Sequence, residues 1–390
     1  MKIILRVTLI LFVVLLNIAP SEAQNQGFNL IVVGDPQPQT EAQITSLEEE
    51  IIPQIATIVE QYKTSGYPTA ILLTGDNVWD TMRFMPRIKE AFESLGVPLY
   101  SVIGNHDHDR RVKRNQPKAE RHYTATFGPR NQHFMLGETL FVTLDNIEYA
   151  TYHDYTTSVD NEQLAWLEDV VSQYPNIERV AVCMHAPASK ISEPVLRPYA
   201  EPIVRIIGER KIEFITGHAH RHATVDIAPN IVEHSVAQVN GNLWFAPICA
   251  DGTPRGVFCI EERNGEWSWQ HRILGQESDY QMRIWSQGEL REHEEYIVVK
   301  AIGWDEKWMI RWSENGKDMG VMEQIEIIDP DYSYYVEYEA DYRKKFMTRL
   351  RRSARPVRHY FRCRPTDKNS EITITATDRF GRTFSISNKQ

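Results

Sequence analysis

Five short apolar runs in this chain each end in residues that could hold a metal ion. Leu30 to Val33 runs into Gly34-Asp35-Pro36-Gln37, and Ala70 to Leu73 runs into Gly75-Asp76-Asn77. Leu99 to Ile103 is followed by Gly104-Asn105-His106-Asp107, Val180 to Met184 by His185, and Phe214 to Thr216 by Gly217-His218-Ala219-His220. Carboxylate and imidazole donors suit Mn, Fe, Zn or a related divalent ion. Glycine beside them permits sharp turns and close backbone approach. Each block alone has an ordinary reading: Gly-Asp after a strand is commonly a turn, and a lone His185 commonly a core or loop histidine. Their order and their shared place at strand ends point instead to one metal-binding site. No Gly-x-Ser-x-Gly elbow and no Cys-His pair with nucleophile spacing competes with that chemistry.

The elements that must position these residues are legible from periodicity. Ile44, Leu47, Ile51, Ile55, Ile58, Val59 and Tyr62 recur at helical spacing, which predicts a helix after the first strand. Leu140 to Leu144 reads as a further strand. Asn161 to Tyr174 is amphipathic and follows Asp160, an N-cap residue type, and another helix is expected around Ile203 to Gly208. Strands alternating with helices predict an α/β domain, in which ligands bind outside the carboxyl ends of the strands. After Gly275 the texture changes. Val298 to Ile302, Met309 to Trp312, Tyr332 to Tyr338 and Ile372 to Thr375 read as short strands separated by turn signals such as Asn315-Gly316. A smaller all-β, sandwich-like domain is expected there.

Lys2 and Arg6 precede an apolar stretch from Val7 to Ile18, and Ser21-Glu22-Ala23 ends in a small residue. That is the pattern of a cleaved signal peptide. The expected organisation is therefore signal peptide 1–23, α/β domain 24–275 and β domain 276–390, with a periplasmic or secreted product. The 390 residues carry 43 Lys+Arg against 53 Asp+Glu, a net charge of −10, which disfavours a nucleic-acid partner. Cys183, Cys249, Cys259 and Cys363 include no CxxC pair and read as small buried apolar groups. A hairpin disulfide between Cys249 and Cys259 is the alternative.

The ordered blocks Asp35-x-Gln37, Gly75-Asp76-x-x-x-Asp80, Gly104-Asn105-His106-Asp107, His185 and Gly217-His218-x-His220 resemble the calcineurin-like metallophosphoesterase superfamily. The resemblance implies a four-layer α/β/β/α sandwich holding two divalent or trivalent metal ions (Mn, Fe, Zn or similar). Asp76 would bridge both. Asp35 and His220 would bind the first, and Asn105, His185 and His218 the second. Gln37 stands where the first site usually has His, and is expected to ligate weakly or to hold a water. His106 matches the catalytic histidine, and Asp80 or Asp107 would orient its ring. Trp79 stands where purple acid phosphatases place a Tyr ligand, which argues against their iron–tyrosinate chromophore. The implied activity is metal-dependent phosphoester hydrolysis, as phosphatase or phosphodiesterase, by a metal-bridging hydroxide.

A narrower resemblance, to exported bacterial phosphoesterases with a C-terminal β domain, rests on further blocks. They are Phe127-Gly128-Pro129, Leu144-Asp145-Asn146, Glu162 to Leu167, Asp251-Gly252-Thr253-Pro254, Gln281-Met282-Arg283-Ile284 and Asp378-Arg379-Phe380-Gly381. Many such relatives carry an extra N-terminal β domain; here the signal segment leads almost directly into the first strand, so none is expected. The expected substrate is a phosphorylated small molecule, lipid or glycan. An alternative is a catalytically weak or inactive fold that binds an envelope glycan or phospholipid, motivated by Gln37 and the added β domain.

Arg110-Arg111-Val112-Lys113-Arg114 could guide an anionic substrate or be a solvated loop, and His108 could touch substrate. Tyr152, His153 and Tyr155 read as a surface loop, with a cleft lining as the alternative. Arg343 to Arg364 is basic, which allows membrane-surface contact. Simple alternation on strands, with charges facing water or the acidic α/β domain, is the plainer reading. Trp304, Trp308 and Trp312 are expected in the β core or its turns.

Overall fold

The computed structural model describes residues 27–112, 115–151, 154–191, 193–338 and 354–389. The expected signal peptide, Lys113, Arg114, Tyr152, His153 and the first half of the basic stretch lie outside them. In chain order the first strands are β1 (Gly27–Val33), β2 (Thr69–Leu73), β3 (Leu99–Ser101), β4 (Gln132–Leu136), β5 (Thr139–Thr143), β6 (Ile147–Tyr149), β7 (Tyr155–Thr157), β8 (Arg179–Cys183), β9 (Lys211–Thr216), β10 (Ala223–Ala228), β11 (Ile231–Ser235), β12 (Gly256–Arg263) and β13 (Glu266–Ile273). One sheet has the order β13-β12-β1-β2-β3 and the other β10-β11-β9-β8-β5-β4, while β6 and β7 form a separate hairpin.

Alternation along the central strands sorts side chains into layers. Phe28, Leu30, Val32, Ala70 and Leu72 meet Phe141, Ala181, Ile215, Phe258 and Trp267 between the two sheets. Ile31, Val33, Ile71 and Leu73 face the other way, onto the apolar faces of helices Ile52–Lys63 and Met85–Glu93. Leu140, Val142, Val180, Val182 and Phe214 face helices Asn161–Gln173 and Glu201–Ile207 on the far side. Helix, sheet, sheet and helix therefore stack as four layers. The strands β1, β2 and β3 run parallel, as do β5, β8, β9 and β11. Their carboxyl ends consequently gather at one edge of the sandwich.

The long helix expected after β1 is present but interrupted. Thr40 caps Glu41–Ser46 with Gln43 in a reciprocal capping box, and Leu47–Ile51 then forms a π-helical turn before Ile52–Lys63. Pro53 has no N–H to continue the α ladder, which accounts for the irregular turn. Asp160 caps Asn161–Gln173, its side chain accepting from the Gln163 N–H at 2.8 Å.

The C-terminal strands are β14 (Met282–Trp285), β15 (Ile297–Ala301), β16 (Met309–Glu314), β17 (Lys317–Val321), β18 (Glu323–Ile327), β19 (Val357–Cys363), β20 (Ile372–Thr377) and β21 (Thr383–Ser387). They form two four-stranded sheets, β14-β15-β19-β18 and β17-β16-β20-β21, packed through Val299, Ile310, Phe361, Ile374 and Phe384. Trp304, Trp308 and Trp312 pack against that core. The strand expected at Tyr332 to Tyr338 is instead a helix, Pro330–Tyr338. Asp329 accepts the Tyr332 N–H at 2.6 Å, and Pro330 opens the first turn, a helix start that aromatic β-propensity obscured.

Several blocks singled out in the sequence hold the two parts together. Lys300 on β15 donates to the Gly252 carbonyl at 3.0 Å and to Asp329 at 2.8 Å. Arg379 forks onto both oxygens of Asp226 on β10 at 3.1 Å and reaches Asp305 at 2.7 Å. Arg358, Arg362 and Arg364 pair with Glu306, Glu323 and Glu295 of their own β domain; of the two expected placements, water or the α/β part, Arg358 and Arg364 take the first, being largely exposed. All four cysteines are buried and free.

Candidate metal centre

The strand ends converge as the spacing predicts. The loop after β1 supplies Asp35 and Gln37, and the loop after β2 supplies Asp76 and Asp80. The loop after β3 supplies Asn105 and His106, that after β8 supplies His185, and that after β9 supplies His218 and His220. Asp35, Gln37, Asp76, Asp80, His218 and His220 all adopt positive φ, between 35° and 64°. Backbone held there costs about 1–3 kcal/mol per residue, so six such residues at one site mark a cradle that the surrounding fold enforces. Gly75 (φ +93°) and Gly217 make the approach possible. A Cβ on Gly75 would stand 2.7 Å from His185 Nδ1, and one on Gly217 2.9 Å and 3.0 Å from the Asp35 carboxylate oxygens.

Two overlapping donor groups result. Asp76, His185 and His218 form one, and Asp35, Asp76 and His220 the other; within each, the ligand atoms lie within 4.8 Å of one another. Asp76 belongs to both. Asn105 joins the first group, its Oδ1 3.0 Å from His185 Nε2. The His185 ring is oriented from behind: its Nδ1 lies 2.8 Å from the Thr74 carbonyl, which leaves Nε2 facing the donors. A carbonyl that fixes the tautomer of an inward-facing histidine is the usual backing of a metal ligand. Asp35 accepts the His218 N–H, and Asp76 accepts the His106 N–H at 2.8 Å.

The electrostatics suit cations. Burial, helped by the neighbouring His185, holds His218 down at about 4, and burial holds His220 at about 3, so both rings are neutral and offer lone pairs. Burial, reinforced by the charge of Asp76, raises Asp35 well above the carboxylate range, although His185 opposes it. For Asp76, burial is outweighed by His185, His106 and His218, and its carboxyl stays low. Burial pulls His185 down, but Asp76 and Asp35 outweigh it and hold the ring at about 9. Buried carboxylates beside neutral imidazoles suit bound cations, and the donor set fits two divalent ions sharing Asp76.

Gln37 is drawn into this cluster as a donor. Its Nε2 bonds to Asp76 Oδ2 while its Oε1 accepts from Gln238 Nε2 at 2.6 Å. Of the two roles expected for Gln37, weak ligation or holding a water, this orientation turns its oxygen away from the shared carboxylate and presents an N–H there. His106 stands beside the donors with Nδ1 3.0 Å from Asp80 Oδ1 and its ring 5.0 Å from that of Trp79. Asp80 also binds Arg110 through its other oxygen.

Two other expected residues are placed away from the reacting face. Asp107 does not orient His106: it is buried and accepts the N–H groups of Gly104, Asn77 and Val78, tying the β2 and β3 loops together. Burial pushes it up to about 6. His108, expected to touch substrate, is fully buried with both ring nitrogens engaged, Nδ1 2.8 Å from the Gly104 carbonyl and Nε2 3.0 Å from Asp145. His108, Asp145 and Glu120 could form a third donor group, but the Arg130 guanidinium already supplies the cation there, 3.2 Å from Glu120.

For Tyr155 the alternative of a cleft lining holds, not the surface loop: the β6–β7 hairpin covers the donors, with the Tyr155 hydroxyl 3.1 Å from His218 Nε2 and the Tyr149 hydroxyl donating to the Asn105 carbonyl at 2.9 Å. The alternation Ile147, Tyr149, Tyr155 around a turn was the available signal.

A family model described as calcineurin-like phosphoesterase matches residues 28–222, and one described as C terminal of calcineurin-like phosphoesterase matches residues 233–384. The chain belongs to the calcineurin-like phosphoesterase family. A relative from Arcobacter nitrofigilis, named probable glycerophosphodiester phosphodiesterase GpdQ, is 24% identical over 165 residues, which cover 40% of this chain and 58% of that protein. Among solved structures, a dimetal phosphatase from Danio rerio aligns at 13% identity and TM-score 0.44, covering 63% of this chain and 96% of that one. Purple acid phosphatase PPD1 from yellow lupin aligns at 14% identity and TM-score 0.46, covering 64% and 52%.

Proposed function

We propose that this calcineurin-like phosphoesterase is an exported hydrolase of phosphoesters that works with two metal ions. The observation that carries the reading is the sharing of Asp76 between two donor groups, with the His106–Asp80 pair beside them. Export is supported by the basic, apolar and small-residue pattern of residues 1–23.

When bound, two divalent ions lower the pKa of a water and neutralise charge on the phosphoryl oxygens. The chain's own part follows from its geometry. Asp35, Asp76, Asn105, His185, His218 and His220 hold the ions. Thr74 and Tyr155 keep two of the rings in place. His106, oriented by Asp80, gives a proton to the leaving oxygen or stabilises its charge. No side-chain nucleophile is required.

The test uses residues 24–390, stripped of metal and resupplied with Mn, Zn, Fe, Co or Mg. A chromogenic monoester and a chromogenic diester are offered; the diester is included because the Arcobacter relative is named for diester hydrolysis. Metal-restored turnover that Asp76→Asn abolishes and His106→Ala lowers supports the hydrolase. Two ions bound per chain with no turnover of either substrate favours a ligand-binding role for the envelope glycans or phospholipids raised by the sequence.

A further inference from the structure

A polar cleft of about 400 Å³ opens beside Asp80, the partner of His106. Asp80 forms part of its wall, together with Arg83, Arg110, Arg111, Arg121 and His122. Four guanidinium groups thus surround two carboxylates, those of Asp80 and Asp109. Both carboxylates are already engaged. Asp80 holds His106 and Arg110, and Asp109 takes Arg121 at 2.8 Å. Arg83 pairs with Glu41 at 3.4 Å, lies over the Phe84 ring and is largely exposed. The Arg111 guanidinium makes no hydrogen bond or ion pair among the described residues. The cleft therefore carries an excess of positive charge. Guanidinium is the cation best matched to the planar, forked recognition of phosphate oxygens.

The position of the cleft decides what it would hold. In the hydrolase reading His106 faces the leaving oxygen, as proton donor or charge stabiliser, and its partner Asp80 is also a wall of the cleft, so the cleft adjoins the leaving-group side. We propose that this cleft is a subsite for a second phosphate, carried by the leaving group of the substrate. The substrate class is thereby a bisphosphorylated small molecule, not a monophosphate with an uncharged alcohol. This rests on the hydrolase reading above. In that reaction a water oxygen bonds to phosphorus and releases a proton to solvent, the bond from phosphorus to the leaving oxygen breaks, and the leaving oxygen takes the proton from His106, which regains one from solvent. The arginines take no part in bond making; they hold the distal phosphate and so orient the scissile one.

Two measurements separate the subsite from the hydrolase. In the first, the metal-loaded protein is given propane-1,3-diyl bisphosphate and propyl phosphate. The expected preference in kcat/KM is ~10-fold or more beyond the twofold owed to two equivalent ends, falling by ~10-fold in Arg83→Ala/Arg111→Ala, with the change in KM. A preference that the double variant retains overturns the subsite while leaving the hydrolase intact. In the second, the same two ligands are titrated calorimetrically into Asp76→Asn, in chelator, with and without the two arginine changes. Tighter binding of the bisphosphate, weakened ~10-fold by the arginine changes and by raised salt, supports the subsite even where no turnover is seen. Equal affinity for the two ligands, or equal affinity with and without the arginines, overturns it.

Discussion

The side-chain amide of Gln37 gives its N–H to the Oδ2 of Asp76, the carboxylate shared by both donor groups. Its direction is fixed by what stands behind it. Leu243 N–H bonds to Gln238 Oε1 at 3.0 Å, so Gln238 must present its NH2 to Gln37 Oε1, and Gln37 must present its own NH2 to Asp76. Leu243 and Trp244 adopt positive φ (51° and 67°) in the loop that makes this contact. Gln37 thereby positions the shared carboxylate. Replacing Gln37 by Leu leaves a buried carboxylate oxygen and a buried amide unpaired, at a cost of about 1–3 kcal/mol. Urea unfolding in chelator is the decisive measurement, because a residue acting only as a ligand would leave metal-free stability unchanged.

The His106–Asp80 pair makes a second prediction about leaving groups. General acid catalysis contributes roughly 10²–10⁴-fold, and most where the leaving oxygen is a strong base. His106→Ala is expected to lower kcat on an alkyl phosphate by that range and on nitrophenyl phosphate by much less, with metal content preserved. Asp80→Asn, which keeps a hydrogen-bond acceptor but removes the charge facing His106 and Arg110, should give a smaller loss in the same order. Equal losses on both substrates would assign His106 to phosphoryl charge stabilisation instead.

The fold and most of the donor set were legible because both depend on short-range patterns. Apolar strands ending in Gly-Asp, Gly-Asn-His or Gly-His-x-His reveal their own chemistry, and sheet topology brings the ends together. What escaped the sequence depends on which partner a polar side chain finds across the fold. Asp107 follows His106 directly, yet its carboxylate turns back to three backbone N–H groups. Gln37 has a ligand's position, yet Gln238, two hundred residues away, sets its orientation. The helix Pro330–Tyr338 was hidden for another reason: aromatic residues favour strands on average, and here the Asp329-Pro330 start signal overrode that average.

Lys300 and Asp329 form a buried ion pair where the β domain meets the loop of Gly252. Lys300 is 2% exposed and Asp329 fully buried; the pair is completed by the Gly252 carbonyl and by the Tyr360 hydroxyl, which donates to Asp329. Removing one partner of such a pair strands the other, so Lys300→Ala should cost about 3–5 kcal/mol, and Lys300→Met/Asp329→Leu less than Lys300→Ala alone. Burial raises the Asp329 carboxyl, but Lys300 outweighs it and holds it below its ordinary value. A depressed carboxylate contributes stability above its unfolded value of about 3.9 and loses it as pH falls through the folded one. The difference between wild type and Lys300→Ala should therefore shrink below about pH 4, as read by urea midpoints across pH.

His108 and Asp145 give the opposite pH dependence on the alkaline side. Burial pulls His108 down, but Asp145 outweighs it and, with the Gly104 carbonyl and Glu120, raises the ring above its ordinary value. Asp145 is correspondingly held low, since His108, the Ile147 N–H and Arg130 outweigh its burial. A raised histidine contributes fully below its unfolded value of about 6.5 and loses that contribution as pH rises through the folded one. A depressed aspartate loses its contribution as pH falls below about 3.9. The cost of His108→Gln should thus be greatest between about pH 4 and 6.5, near 3 kcal/mol, and decline on either side. Glu120, pushed up to about 7 by burial and by Asp145, also removes stability as pH rises. The comparison is therefore made in Glu120→Gln, where the remaining alkaline decline belongs to His108. A cost of His108→Gln that stays flat from pH 5 to 9 would show that the ring is held by its neutral hydrogen bonds alone.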